Sequence, residues 1–139
     1  MKSFIYKNKE IKRKWHVLDA TDKTLGRLSV EASSILSGKT KTFYSPHQDL
    51  GDFVVIVNAK NIKMTGKKTE NKLYNRYTGY PGGLRSVSLG DKFKNNPEWV
   101  LKHSVRGMLP ANKLRDARLK RLKVYLDEKH PHVEQVREK

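Results

Sequence analysis

Three groups of side chains in this sequence have types and spacings suited to chemistry. His47, Asp49 and Asp52 fall within six positions, and an imidazole with two carboxylates is a donor set for a divalent metal or a general base, as a metal-dependent nuclease would need. The same carboxylates also read as turn and cap acceptors, because Asp49 precedes Gly51 and Asp52 borders an expected strand. Gly66-Lys67-Lys68-Thr69 invites a phosphate-loop reading, which fails. That loop needs glycine five residues before Gly66, where Asn61 stands, and Ser or Thr directly after the first lysine, where Lys68 stands. The third group is the densest. Residues 63–85 set six basic residues against the single acid Glu70 and interleave Tyr74, Tyr77 and Tyr80 with Gly66, Gly79, Gly82 and Gly83. Cations neutralise phosphates, tyrosine rings offer faces to unstacked bases, and glycines admit close backbone approach, so the segment reads as a nucleic-acid contact. Its alternative reading is a solvated, mobile hairpin.

The remaining histidines offer less. His130 and His132 flank Pro131 with no cysteine or carboxylate at ligand spacing, while His16 and His103 read as structural. No Ser-His-Asp arrangement stands out. Neither catalysis nor a bound metal or cofactor is expected.

The chain that carries these groups has 139 residues and a formal net charge of +16, with 36% hydrophobic residues. That length fits one domain with a modest core, and the charge far exceeds what solubility needs, so a polyanionic partner is expected. The charge is also blocked. Residues 1–14, 60–76 and 113–126 each carry six basic residues and one acid, whereas residues 15–59 carry four basic residues against five acids. A near-neutral structural centre with three basic appendages predicts a folded core pinned to a polyanion at several points. The absence of cysteine excludes disulfides and thiolate chemistry and reads as an intracellular chain. No apolar stretch approaches a membrane span or signal peptide, so membrane and secretory roles are not expected.

The elements that must position the basic groups follow from periodicity. Trp15-His16-Val17-Leu18-Asp19 reads as a strand, and Thr24 as the N-cap of a helix whose buried face is Leu25, Leu28, Ala32, Ile35 and Leu36, stopped by Gly38. Gly26 in its first turn costs about 1 kcal/mol against alanine, which predicts a close approach there, by packing or by phosphate. Phe53-Val54-Val55-Ile56-Val57 is an unbroken β-branched run, the pattern of a strand covered on both faces. Strand, helix and buried strand make a βαβ unit. Residues 63–85 are expected to be extended and hairpin-like. Ser88 with Asp91 resembles a capping box opening a short helix, and Asn96-Pro97 opens another, with Leu101, Val105 and Met108 as its stripe and Gly107 as its stop. A last helix starting near Ala111-Asn112 alternates Leu114, Ala117 and Leu122 with basic residues, the pattern of a basic amphipathic helix, and Lys123-Val124-Tyr125-Leu126 reads as a further strand. The organisation expected is a basic N-terminal arm at 1–14, one α/β domain at 15–126 with the basic insertion at 63–85, and a polar, loose tail at 127–139.

Several of these stretches resemble one family, the bacterial-type large-subunit ribosomal proteins called L-thirteen. The resemblance is carried by Trp15-His16-Val17-Leu18-Asp19-Ala20 with Lys23-Thr24-Leu25-Gly26-Arg27-Leu28, by Tyr44-Ser45-Pro46-His47 and Gly51-Asp52, and by Val57-Asn58-Ala59 and Thr65-Gly66. It continues in Lys72-Leu73-Tyr74, Thr78-Gly79-Tyr80-Pro81-Gly82-Gly83-Leu84, Val105-Arg106-Gly107-Met108-Leu109-Pro110, Arg121-Leu122-Lys123-Val124-Tyr125 and His130-Pro131-His132. It implies a three-layer α/β/α domain on a four-stranded, mostly parallel sheet. It also implies a non-catalytic, cytoplasmic role in the large ribosomal subunit: binding of large-subunit, 23S-type ribosomal RNA beside neighbouring ribosomal proteins, and support of early assembly. The pattern departs at Leu114-Arg115-Asp116, where the family commonly has Leu-Gly-Arg, which leaves Arg115 or Arg118 as the replacement cation, and at Val133 and Glu134, where the family favours alanines.

Within this reading Lys67, Lys68, Lys72 and Arg76 are expected on phosphates, Tyr74 and Tyr77 in stacking or sugar packing, and Gly82-Gly83 at close backbone approach. Arg85 belongs to the same segment. Lys12, Arg13 and Lys14 of the arm, Arg27 with Gly26 at a helix N-terminus, and Lys113, Arg115, Arg118, Lys120, Arg121 and Lys123 complete the expected RNA-binding set. The rival readings are a messenger-RNA-binding translational regulator, which would use the same basic surface, and the nuclease at His47, Asp49 and Asp52.

Overall fold

Lys7 and residues 10–137 are described by the computed structural model. They run β1 (Trp15–Asp19), α1 (Leu25–Ser37), β2 (Phe53–Val57), a 3-10 turn (Ala59–Asn61), α2 (Lys68–Asn71), β3 (Leu73–Tyr77), β4 (Leu84–Ser88), α3 (Leu89–Asn95), α4 (Pro97–Met108), α5 (Leu114–Lys120), β5 (Leu122–Val124) and α6 (Val133–Arg137). The β-branched run forms the middle strand of a parallel sheet in the order β1-β2-β5, in register from Trp15 opposite Phe53 to Asp19 opposite Val57 and from Val54 opposite Leu122 to Ile56 opposite Val124. Val54, Val55 and Ile56 are fully buried. Each such side chain contributes about 1.5–3 kcal/mol relative to exposure, which is why this run seeks the centre of the sheet.

On one face of the sheet, Leu18, Val54, Ile56, Leu122 and Val124 join Leu28, Ala32, Ile35 and Leu36 of α1 and Leu101 and Val105 of α4 in a single core. The expected stripe on α1 is therefore the buried one. Gly38 ends that helix in the left-handed conformation, φ 82°, its N–H donating to the Ile35 carbonyl and the next N–H, of Lys39, donating to Ser34, the paired bonds of a Schellman stop. Thr24 stands at the N-cap, but its side chain caps nothing. The Leu25 N–H donates instead to the Lys63 carbonyl at 3.2 Å, and the Lys63 N–H to the Lys23 carbonyl at 3.0 Å. Ser29, buried in the α1–α4 seam, lies 2.8 Å from the Ser104 hydroxyl.

The other face is partly covered by the C-terminal segment, Val17 remaining 39% exposed. Trp15 stacks on Phe53 across the strands, centroids 4.3 Å apart, and on His132 at 4.9 Å. The Tyr125 hydroxyl lies 2.9 Å from His132 Nε2, and the short helix α6 packs against β1. The segment meets the sheet through His132 and α6, because a Trp-Phe face on β1 and β2 gives an otherwise polar stretch something apolar to lie against.

Three further expectations are corrected. The parallel sheet among the described residues has three strands, not four. Lys63 makes only a single parallel bridge to Thr24, since the 3-10 turn ends at Asn61 and Gly66, at φ +63°, turns the chain away. Helix α4 runs through Gly107 to Met108. And α5 is not the expected amphipathic helix: Ala117 is exposed while Arg118 is 1% exposed. Two of the three predicted N-caps make their side-chain bonds, Thr24 being the exception. Ser88 Oγ accepts from the Asp91 N–H, and Asn96 Oδ1 from the Trp99 N–H.

Candidate nucleic-acid interface

Residues 63–85 begin with the Thr24–Lys63 bridge, pass through one helical turn and end in a two-stranded antiparallel hairpin, β3 with β4. The pairing register, from Leu73 opposite Ser88 to Tyr77 opposite Leu84, sets Arg76 directly opposite Arg85. Both arginines are exposed. Like charges directly opposite one another on a pleated pair are destabilising in isolation, so this hairpin holds two cations together at a cost that an anion would remove. On the opposite face Leu73, Tyr77 and Leu84 are 54%, 63% and 63% exposed. Tyr80, at 76%, stands at the turn.

The glycines of this turn have an internal reason to be there. A Cβ at Gly83 would lie 2.0 Å from the Thr78 hydroxyl and 2.8 Å from the Tyr80 carbonyl, and Gly82 sits at φ +70°. The turn closes through Thr78 N–H to the Gly83 carbonyl and Gly83 N–H to the Tyr80 carbonyl.

The base of the hairpin is fixed to α4 by aromatic rings. Tyr74 meets Trp99 and His103 edge-on, at 5.1 and 5.3 Å, and Trp99 and His103 stack on each other at 4.7 Å and 15°. Burial pushes the Tyr74 phenol above its usual pKa. Tyr74 therefore braces the hairpin, while Tyr77 and Tyr80 remain open. Lys72 lies 5.5 Å over the Tyr74 ring and Lys92 4.6 Å over Trp99. Trp99, His103 and Arg106 had no place in the site read from the sequence. The available signal was an aromatic, an imidazole and an arginine at i, i+4 and i+7 on one helix.

The other basic residues divide sharply. Lys67, Lys68 and Lys72 are exposed, as are Arg27 in the first turn of α1, Lys12 and Lys14 ahead of β1, Lys113 just before α5 and Lys120 at its end; Arg115 and Lys123 are half-buried. Gly26 beside Arg27 has nothing within 4 Å of where a Cβ would stand. Packing within the protein does not account for that glycine. Arg118 and Arg121, by contrast, are 1% and 7% exposed and turn inward. Arg121 grips Asp49 with both guanidinium ends at 2.5 Å, while Arg118 Nε lies 3.6 Å from the same carboxylate. In this structure their guanidinium groups are engaged with a half-buried carboxylate rather than presented to solvent. Arg13 is also engaged, donating to the Asp49 carbonyl at 3.1 Å.

The carboxylates proposed for metal or base chemistry are occupied by these contacts. Asp52, 3% exposed, accepts from Lys41 Nζ at 2.5 Å and from the Lys14 N–H at 3.0 Å, and lies 3.1 Å from His16 Nε2. Burial alone would raise its pKa, but the Lys41 ammonium, the Lys14 N–H and His16 together hold it below the ordinary carboxylate value. The arm is thus tied to the edge of the core at residues 12–14, where the Lys12 carbonyl also accepts from Lys41; the arm residues 1–6, 8 and 9, and residues 138 and 139 of the tail, lie outside the described residues. Gly51 makes this packing possible, since a Cβ there would fall 1.8 Å from the Leu36 carbonyl oxygen.

Comparison with known proteins places this arrangement. The family model for ribosomal protein L13 matches residues 13–131. The chain is similar to the large ribosomal subunit protein uL13 of Rubrobacter xylanophilus, 49% identical over 138 residues that cover 99% of this chain and 96% of the relative. It is 50% identical to that of Hahella chejuensis over 97% of this chain and 95% of the relative, and 50% identical to that of Thermoanaerobacter sp. over 100% and 97%.

Proposed function

The chain belongs to the ribosomal protein L13 family, and from that membership we propose that it is a structural constituent of the large ribosomal subunit, binding large-subunit ribosomal RNA beside neighbouring ribosomal proteins and supporting early assembly. The family is structural rather than enzymatic. The observation that supports RNA as the partner is the hairpin, where Arg76 and Arg85 face each other in solvent, in the same basic segment as the exposed Lys67, Lys68 and Lys72. The α/β core supplies rigidity. Phosphates go to Lys67, Lys68, Lys72, Arg76 and Arg85, with Arg27 at the open first turn of α1 and Lys12, Lys14, Lys113, Lys120 and Lys123 as further contacts. Tyr77 takes the stacking or sugar-packing role, and the Gly82-Gly83 turn gives the backbone its closest approach. The order expected is a three-layer one, with the C-terminal segment as the thin third layer.

The test is a titration of a transcript of large-subunit RNA against salt. The logarithm of affinity should fall by roughly 0.7–0.9 per unit of log salt for each phosphate neutralised. Changing Lys67, Lys68 and Lys72 together to alanine should flatten that slope by about two to three units and deplete the variant from large subunits. Equal entry of the variant and the parent into subunits would sink the assignment. Nothing observed favours messenger RNA as the main partner, and crosslinking in cells should return mostly ribosomal RNA.

A further inference from the structure

The aromatic column on α4 has a composition that bracing a hairpin does not require. Lys92 covers one end of it, 4.6 Å over Trp99; Trp99 stacks on His103; and His103, at the other end, is exposed. Tyr74 already buttresses both rings edge-on, so the hairpin is held without anything on the far face of His103. The surroundings are cationic. Lys72 sits beside the Tyr74 ring at 5.5 Å, Arg106 follows His103 by one helical turn, and partial burial first, then these two cations, lower the His103 pKa. The only acid on α4, Glu98, is taken by Lys102.

An exposed flat ring at the end of a stack, ringed by unpaired cations, is complementary to an unstacked nucleobase and its phosphates. A protein partner would need an aromatic tip carrying acids, whereas a nucleotide supplies ring and charge in one unit. We propose that His103 is a stacking platform for an unpaired base of the bound RNA, with Lys72 and Arg106 holding the flanking phosphates. This rests on the RNA-binding reading above and adds to it a base-stacking site on α4, a helix that reading does not use.

The experiment is a titration of the full chain with a large-subunit RNA transcript, for the parent, His103→Ala, His103→Phe and Arg106→Ala. Tryptophan emission is followed in parallel. RNA should quench the emission of Trp99, while Trp15 is enclosed between Phe53 and His132 and changes little. His103→Ala should weaken binding about tenfold without altering the salt slope, and His103→Phe, which keeps a flat face, should restore affinity. Arg106→Ala should instead reduce the slope by roughly one phosphate's share. His103→Ala binding like the parent, or His103→Phe binding as poorly as His103→Ala, overturns the platform and leaves the general reading intact. An unchanged RNA affinity with loss of a neighbouring protein from isolated subunits overturns it too, and gives the site a protein occupant. Failure of the parent itself to bind the transcript removes both readings.

Discussion

At the scale of single residues, the charged side chains of this protein separate into those that hold the core and those left to face a partner. Asp52 belongs to the first kind. Asp52→Asn keeps the shape but leaves the Lys41 ammonium, 13% exposed, without its counter-charge, and should destabilise the fold by about 3 kcal/mol in denaturant melts. Its pH dependence has a definite sign. The folded pKa lies below the unfolded value near 3.8, so the stabilisation is complete above that value and is lost as the pH falls through the lowered one. Melts between pH 5 and about 2 should show the parent losing more stability than the asparagine variant. The tyrosines separate in the same way. Tyr74→Ala should lower thermal stability, since it removes a half-buried ring packed edge-on against both Trp99 and His103; Tyr77→Ala, at 63% exposure, should leave stability within roughly 0.5 kcal/mol and weaken RNA binding instead.

At the scale of elements, periodicity was a good guide where hydrophobic burial decides and a poor one where ion pairs do. The strand at Phe53–Val57 and the helix at Leu25–Ser37 were readable because their apolar residues are the ones that pack. Helix α5 was not. Its seven residues are too few for a stripe to dominate, and Asp49, more than sixty positions earlier in the chain, draws Arg118 inward at the expense of Ala117. No local pattern carries a pairing of that separation. The hairpin lies between these cases: an extended, hairpin-like segment is expected from the sequence, but the opposition of Arg76 to Arg85 depends on a register that the turn sets. The aromatic column was missed because Tyr74 and Trp99 become neighbours only through the docking of β3 on α4. Gly51 offers the sharpest element-scale test. Gly51→Ala forces a methyl into the Leu36 carbonyl where helix, loop and Arg121 converge, and should cost about 3 kcal/mol or more, or abolish soluble expression.

At the scale of the molecule, an even distribution of charge would make salt sensitivity diffuse, whereas three basic blocks around a near-neutral core make it separable. Replacing residues 76–85 by a short turn should leave the circular dichroism of the α/β core largely intact while removing part of the salt slope of RNA binding, because the hairpin meets the rest of the protein chiefly through Tyr74 and the start of α3. The C-terminal layer titrates on its own account. Burial first, then Lys123 and His130, hold the His132 imidazole below its ordinary value, so its contribution is present above about pH 6.5 and fades as the pH falls through the folded pKa. Protection factors at residues 125–137, taken relative to the intrinsic exchange rate at each pH, should fall between pH 7 and about 5 before the sheet itself opens.

The grip of Arg121 on Asp49 spans 72 positions of chain. During synthesis Asp49 leaves the ribosome long before the arginines that neutralise it, and the central strand β2 waits equally long for β5. A nascent chain that stops short of Arg118 therefore holds an acid with only Arg13 beside it and a sheet it cannot finish. Closure of the core reports that the last third of the polypeptide has arrived, and chains released early should stay open to proteases while complete ones do not.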